Sequence, residues 1–99
     1  MTRQIKYFSF WDVPRTFVFE RDERLYMLTS EFDDEIDDYP DRYDVFVLAG
    51  IQNLSAVSDW NSIEPLSRTF LGTVPVSSVL FDGSRRSFVD DSFLREIRT

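Results

Sequence analysis

The sequence predicts an α+β fold: one antiparallel or mixed sheet of about five strands, with two short helices packed on one face. Aromatic and β-branched runs fill the N-terminal half, and patterns with helical spacing appear only after them. Strands therefore precede helices instead of alternating with them, in the order β-β-β-β-α-β-α. Residues 1–99 are expected to form a single domain.

The first four strands are predicted from runs of β-forming residues that turn signals separate. Residues 5–10 form the first strand, which ends at a corner before Pro14. Residues 15–20 and 24–29 are joined by a short polar connection, which predicts an antiparallel hairpin. Residues 43–49 contain an unbroken apolar run, so we expect a central strand that is covered on both faces.

A short amphipathic helix is predicted over residues 62–71. Ile63, Leu66 and Phe70 recur at helical spacing, and they would lie on one face of such a helix. Gly72 follows at the position where a helix commonly ends in a left-handed residue.

The C-terminal part is predicted to add a strand and a second short helix. Residues 76–81 return to strand character and stop at a turn formed by Asp82 and Gly83. Asp90 is a good N-cap residue, which predicts a helix over residues 91–98.

The acidity of the chain is concentrated in residues 31–44 (EFDDEIDDYPDRYD), named here the acidic segment. It holds eight of the eighteen acidic residues and one base, so its net charge of −7 equals that of the whole chain. Its position between two strands predicts an exposed loop. A charged loop that only keeps the protein in solution is one explanation. Aromatic residues among the acids favour a binding surface instead.

Composition argues against most enzyme classes. The chain contains neither cysteine nor histidine, which excludes disulfides, thiol nucleophiles and the Ser-His-Asp and Cys-His systems. Its three glycines match neither a phosphate-binding loop nor a dinucleotide fingerprint. We therefore expect no enzyme activity, no catalytic residue and no cofactor. Trp11 and Trp60 are expected to be core residues rather than the lining of a ligand site.

The acidic segment has part of the ligand spacing of a calcium-binding loop. With Asp33 as the first ligand, oxygen donors fall at later ligand positions of an EF-hand loop, but Asp38 stands where that loop requires glycine. No metal-ligating residue is therefore predicted, and a divalent-metal-responsive domain is the weaker alternative.

Charge also bears on partners and location. A net charge of −7 and a pI near 4.4 disfavour binding to nucleic acid or to an anionic membrane. No signal peptide or membrane-spanning run is recognisable in the sequence. A soluble, cytoplasmic protein is expected.

These observations predict a non-enzymatic module that binds a basic protein. Carboxylates would steer the partner, and tyrosines would supply contact area. The residues predicted to bind it are Asp34, Asp37, Asp38, Tyr39, Asp41 and Tyr43.

In interface chemistry, the acidic segment resembles the surfaces of colicin-type nuclease immunity proteins and barstar-like inhibitors. The resemblance covers about fourteen residues and no sequence motif, so no residue role follows from it. It implies an inhibitor or immunity-type protein that neutralises a cationic partner. The alternative is a structural or self-associating domain, a homo-oligomer in which the acidic segment meets arginines of another copy, namely Arg85, Arg86, Arg95 and Arg98.

Overall fold

A computed structural model describes residues 1–98, which form one antiparallel sheet of seven strands. The strands are β1 (Thr2–Phe10), β2 (Pro14–Arg21), β3 (Arg24–Thr29), β4 (Arg42–Leu48), β5 (Arg68–Pro75), β6 (Leu80–Phe81) and β7 (Phe88–Asp90). Their order across the sheet is β5-β4-β3-β2-β1-β7-β6, and the sheet curls into a half-barrel.

Helical structure is sparse. One α-helix, α1, has four residues (Trp60–Ile63), and three 3-10 segments cover Leu54–Ala56, Val76–Ser78 and Asp91–Glu96. Together they make up 16% of the chain. Within residues 1–98, no helix is long and apolar enough to cross a membrane.

The α+β prediction is therefore wrong. The protein is mostly antiparallel sheet with seven strands, whereas about five strands and two packed helices were expected. The largest error is the helix over residues 62–71, because α1 ends at Ile63 and β5 begins at Arg68. Residues 68–75 form a strand because they pair with β4. Their backbone groups form hydrogen bonds along an edge of β4 that would otherwise be left without partners.

The predicted strands of the N-terminal half are confirmed. β2 and β3 pair in a continuous register that ends at Arg21 opposite Arg24. The two residues between them, Asp22 and Glu23, have φ angles of 53° and 62°, as a type I′ hairpin turn requires. β4 lies between β3 and β5, which confirms the predicted central strand.

The C-terminal predictions are confirmed only in part. Strand structure over residues 76–81 is limited to β6, since Val76–Ser78 is a 3-10 turn. The turn at Asp82 is confirmed, because its carboxylate accepts hydrogen bonds from the backbone N–H groups of Ser84 and Phe88. Asp90 does cap a helical segment, although this is the 3-10 segment Asp91–Glu96 rather than an α-helix.

The concave face of the sheet carries an aromatic core. Alternate residues of β2 point to opposite faces, which places Phe17 and Phe19 inside. Phe17 contacts Tyr43 edge to face, with ring centroids 5.6 Å apart, and Phe19 meets Phe93 in the same way at 5.8 Å. Burial of each such ring contributes roughly 2 to 3 kcal/mol to folding.

The opposite face has a second apolar cluster, which the connection between β4 and β5 covers. Val18 and Met27 from the sheet pack there with Ile63 from α1. The Lys6 ammonium fastens this cover by donating hydrogen bonds to two of its backbone carbonyls, one of them that of Leu54 at 2.9 Å. The cover reaches only part of the face.

The C-terminal segment pairs with the edge strand β5. Backbone hydrogen bonds of 2.7 and 2.8 Å join Thr73 of β5 to Arg98. Gly72 lies beside this contact with a φ angle of 141°, and a Cβ atom there would overlap the Arg98 carbonyl. Glycine is therefore required at this position.

Asp91 also joins distant parts of the chain. Its carboxylate accepts a hydrogen bond of 2.8 Å from Arg3 on β1 and lies 3.3 Å from the Arg21 guanidinium. Burial raises the pKa of Asp91, but hydrogen bonds from Arg3 and from the amino group of Met1 lower it more, so the pKa lies below the ordinary 3.8.

The Gly72→Ala variant should lower the free energy of unfolding by about 2 kcal/mol or more, because both the φ angle and the missing space oppose a side chain. Gly83→Ala is the matched control, since a Cβ atom at Gly83 meets nothing within 4 Å. Urea denaturation measures both variants. Equal stability of the two would contradict the close approach of Arg98.

Protonation of Asp91 should lower the stability of the protein in acid. Because its pKa is lowered on folding, its stabilisation is present above the unfolded value of 3.8 and is lost as the pH falls through the folded value. The stability gap between wild type and Asp91→Asn should therefore narrow below pH 3.8. Chemical denaturation across pH measures this gap, and a constant gap would exclude the linkage.

Candidate protein-binding surface

The acidic segment lies at the end of the sheet where β1 turns into β2 and β3 leads towards β4. Antiparallel order places both connections at this end, since β2 begins where β3 stops. A backbone hydrogen bond of 2.6 Å from Ser30 to the carbonyl of Arg15 marks the junction. The loop predicted over residues 31–44 is shorter than expected, because β4 already begins at Arg42.

Most of this connection is a tight turn with exposed carboxylates. Asp33 and Asp38 form an antiparallel backbone pair, with N–O distances of 2.8 and 3.3 Å. The four residues between them reverse the chain, and Asp37 adopts a φ angle of 54° to complete the turn. The Asp33 carboxylate also accepts a hydrogen bond from the Glu35 N–H at 2.9 Å. The turn is therefore held by its own backbone and side chains.

A buried arginine attaches this turn to the sheet. Arg15 is 6% exposed, and its Nε and Nη2 donate to Asp12 Oδ1 at 3.0 and 2.6 Å. Its Nη1 donates to Ser30 Oγ and to the Pro40 carbonyl, both at 3.1 Å. The guanidinium also lies over the Tyr39 ring, 4.7 Å from its centroid. One side chain thus joins the β1–β2 corner, the end of β3 and the acidic segment.

Three aromatic side chains form a surface cluster beside the carboxylates, named here the aromatic cluster. Trp11 stacks on Tyr39 with centroids 6.2 Å apart, and Phe32 meets Tyr39 edge to face at 5.5 Å. Trp11 is 69% exposed and Phe32 47%, while Ile36 at the tip of the turn is 56% exposed. The core position expected for Trp11 is therefore wrong. Trp60 is half-buried against the second apolar cluster.

Four predicted binding residues are accessible. Asp34, Asp37 and Asp38 are exposed on the turn, and Asp41 is exposed just before β4. Tyr39 is half-buried at the centre of the aromatic cluster.

Tyr43 must be removed from the predicted binding set. It is fully buried on the concave face of β4, and its hydroxyl donates a hydrogen bond of 2.6 Å to the Pro14 carbonyl. Burial raises the pKa of Tyr43 above its ordinary value. A partner could not reach this ring without unfolding the sheet, so Tyr43 belongs to the core.

The surface between the turn and the sheet is concave. An open groove of about 670 Å³ runs along it, named here the acidic groove. It is lined by Thr29, Ser30, Glu31, Phe32, Asp33, Asp34, Glu35, Pro40, Arg42 and Asp44. Five of these ten residues are acidic, so the groove is suited to positively charged groups.

The carboxylates of the acidic segment do not converge on one point. Within residues 1–98, no group of three or more potential metal ligands is found. Two of the carboxylates accept local backbone hydrogen bonds instead, Asp33 from Glu35 and Asp38 from Tyr39 at 2.7 Å. The first residues of the stretch whose spacing resembles an EF-hand loop therefore form the turn closed by Asp33 and Asp38.

Comparisons with protein-family models, with curated proteins and with solved structures find no match for this chain.

Replacing Arg15 should loosen the acidic segment as well as destabilise the protein. Arg15→Met removes the donors to Asp12, Ser30 and Pro40, which should cost about 2 to 4 kcal/mol. Amide hydrogen exchange at Asp33 and Asp38 should accelerate more than exchange in the β2–β3 hairpin. Arg24→Met, at an exposed position, is the control. Uniform acceleration throughout the protein would show that Arg15 has no particular role at the acidic segment.

Proposed function

We propose that this protein is a non-enzymatic module of the cytoplasm that binds a basic protein through the acidic segment and the aromatic cluster. The observation that carries the proposal is the exposure of Trp11 on the β1–β2 corner and of Phe32 in the acidic segment, where both rings pack on Tyr39 beside the carboxylates. A loop that served only solubility would not need large exposed aromatic rings. Tryptophan and tyrosine are the residues most enriched at interface hot spots.

The charge distribution supports a basic partner. Asp34, Asp37 and Asp38 extend from the turn, where their field reaches the solvent. Such a field accelerates the approach of a positively charged protein and is screened by salt over about 10 Å at 0.1 M. It disfavours nucleic acid and anionic membranes as ligands for the same reason. An inhibitor or immunity-type protein that covers a cationic groove is one concrete form of this function.

Two of the four arginines of the self-association alternative make contacts within the molecule. Arg85 donates a hydrogen bond of 3.1 Å to the Asp12 carbonyl, and the Arg86 guanidinium lies 4.0 Å from the Phe10 ring centroid. Both arginines therefore contact the β1–β2 corner, at the end of the molecule that carries the acidic segment. Arg95 and Arg98, the other two arginines of the self-association alternative, are exposed, so sedimentation of the wild-type protein decides between the two functions.

The proposal predicts separate kinetic roles for charge and aromatic area. The triple variant Asp34→Asn, Asp37→Asn and Asp38→Asn should lower the association rate about tenfold at low salt, with little effect on dissociation. Trp11→Ala should instead raise the dissociation rate about tenfold. The partner is captured with immobilised wild-type protein from its native host and is identified, and surface plasmon resonance then measures both rates.

The control removes the same number of charges elsewhere. Asp22→Asn, Glu23→Gln and Glu64→Gln are exposed positions outside the acidic segment. Equal affinity of the two triple variants at low and high salt would reject the proposal. So would a wild-type protein that forms salt-sensitive oligomers in sedimentation velocity, with association lost in the acidic-segment variant.

A further inference from the structure

Part of the second sheet face is left open by the cover, and a cleft of about 370 Å³ lies there. It is named here the Trp60 cleft, and it is lined by Phe8, Thr16, Thr29, Glu31, Trp60 and Arg68. It shares Thr29 and Glu31 with the acidic groove. The two depressions are therefore neighbouring parts of one concave surface.

The base of the Trp60 cleft is polar and fixed. Thr16 is 3% exposed, and its hydroxyl lies 3.0 Å from that of Thr29. The Glu31 carboxylate accepts a hydrogen bond of 2.7 Å from Ser9 and another from the Thr16 hydroxyl, both at Oε1. A carboxylate has about four acceptor positions, so Glu31 retains acceptor capacity for a further donor.

The walls of the cleft are aromatic. The rings of Phe8 and Trp60 meet edge to face with centroids 5.6 Å apart. The Arg68 guanidinium lies 5.4 Å from the centroid of the Trp60 ring, at the same cleft. Its positive charge offsets that of the Glu31 carboxylate in the same cleft, so the cleft has no net charge to attract a lysine or arginine side chain, although the neighbouring acidic groove attracts both.

These features select a neutral aromatic group that can donate a hydrogen bond. An aromatic ring would contact Phe8 and Trp60, and its donor would meet the Glu31 carboxylate. Tyrosine and tryptophan are the side chains that combine a large apolar body with a polar donor, and both are enriched at interfaces. Phenylalanine would cover the carboxylate without pairing with it, at a cost in desolvation.

We propose that the Trp60 cleft receives a tyrosine or tryptophan side chain of the basic partner, while cationic residues of the same partner lie along the acidic groove. The proposal rests on the proposed function and adds the chemistry of one anchoring residue. Charge complementarity in the adjoining groove favours a protein as the occupant. A hydrogen bond to the Glu31 carboxylate gives the anchor its specificity.

The first experiment uses single amino-acid amides as probes of the cleft. ¹⁵N-labelled protein is titrated with N-acetyl-tyrosinamide, N-acetyl-tryptophanamide, N-acetyl-phenylalaninamide and N-acetyl-lysinamide. The tyrosine and tryptophan amides should cause saturable shifts at Thr16, Thr29 and the Trp60 indole N–H. The phenylalanine amide should bind about tenfold more weakly, since it forms no hydrogen bond with the carboxylate. The lysine amide should cause no saturable shift at these positions.

The variant Glu31→Gln tests the hydrogen bond itself. It should weaken binding of the tyrosine amide about tenfold, and it should not weaken binding of the phenylalanine amide, because a neutral amide costs less to desolvate than a carboxylate. Glu23→Gln, in the exposed hairpin turn, is the control with the same loss of charge. Melting temperatures of both variants verify the fold. Absence of saturable shifts in the wild type, or equal affinity for the tyrosine and phenylalanine amides, would overturn the proposal.

The second experiment separates this proposal from the proposed function. Glu31→Gln should lower the affinity for the captured partner about tenfold, mainly through faster dissociation. If Glu31→Gln binds the partner as wild type does while the triple variant of the acidic segment does not, the proposed function stands and the anchor assignment is overturned. If neither variant changes partner affinity, the proposed function fails as well.

Discussion

The hydrogen bonds of the buried Arg15 guanidinium are the interactions on which the end of the protein that carries the acidic segment depends. A charge removed from water costs several kcal/mol unless acceptors surround it, so the position of this side chain dictates what must lie around it. Asp12, Ser30 and Pro40 supply those acceptors from three different connections and strand ends. Within residues 1–98, no buried side-chain polar atom lacks a hydrogen-bond partner. The Arg15 charge on β2 thus attaches the acidic segment to the sheet.

This attachment matters for the proposed function, because a fixed surface loses less conformational entropy when a partner docks. Carboxylates on a mobile loop would repel each other and spread, whereas the Asp33–Asp38 backbone pair keeps them on one small turn. The Arg15 guanidinium also lies over the Tyr39 ring, which stacks on Trp11. A cation–π contact of this kind contributes about 0.5 to 2 kcal/mol. Charge and aromatic area are thus presented by the same support.

Local signals were sufficient for the β2–β3 hairpin and for the central strand β4, because turn geometry and apolar patterning fix them without distant contacts. The same period of two could also have placed Tyr43 in the core, since it shares a face of β4 with Val45. Residues 62–71 were misassigned because an edge strand takes its structure from the strand it pairs with. The exposure of Trp11 required knowing that two connections lie side by side, which only the strand order reveals. The Trp60 cleft was equally hidden, because it depends on how far the β4–β5 cover extends.

The attachment of Arg98 to Thr73 has a consequence for aggregation. Exposed strand edges are templates on which other chains can add strands, and an antiparallel sheet that is not a closed barrel has two of them. One edge here, β6, is only two residues long. The other, β5, is occupied at Thr73 by the protein's own backbone and begins with the charged Arg68. Misassembly through strand addition is therefore opposed at both edges. The exposed aromatic rings of Trp11 and Phe32 lie away from these two edges, in the connections between strands.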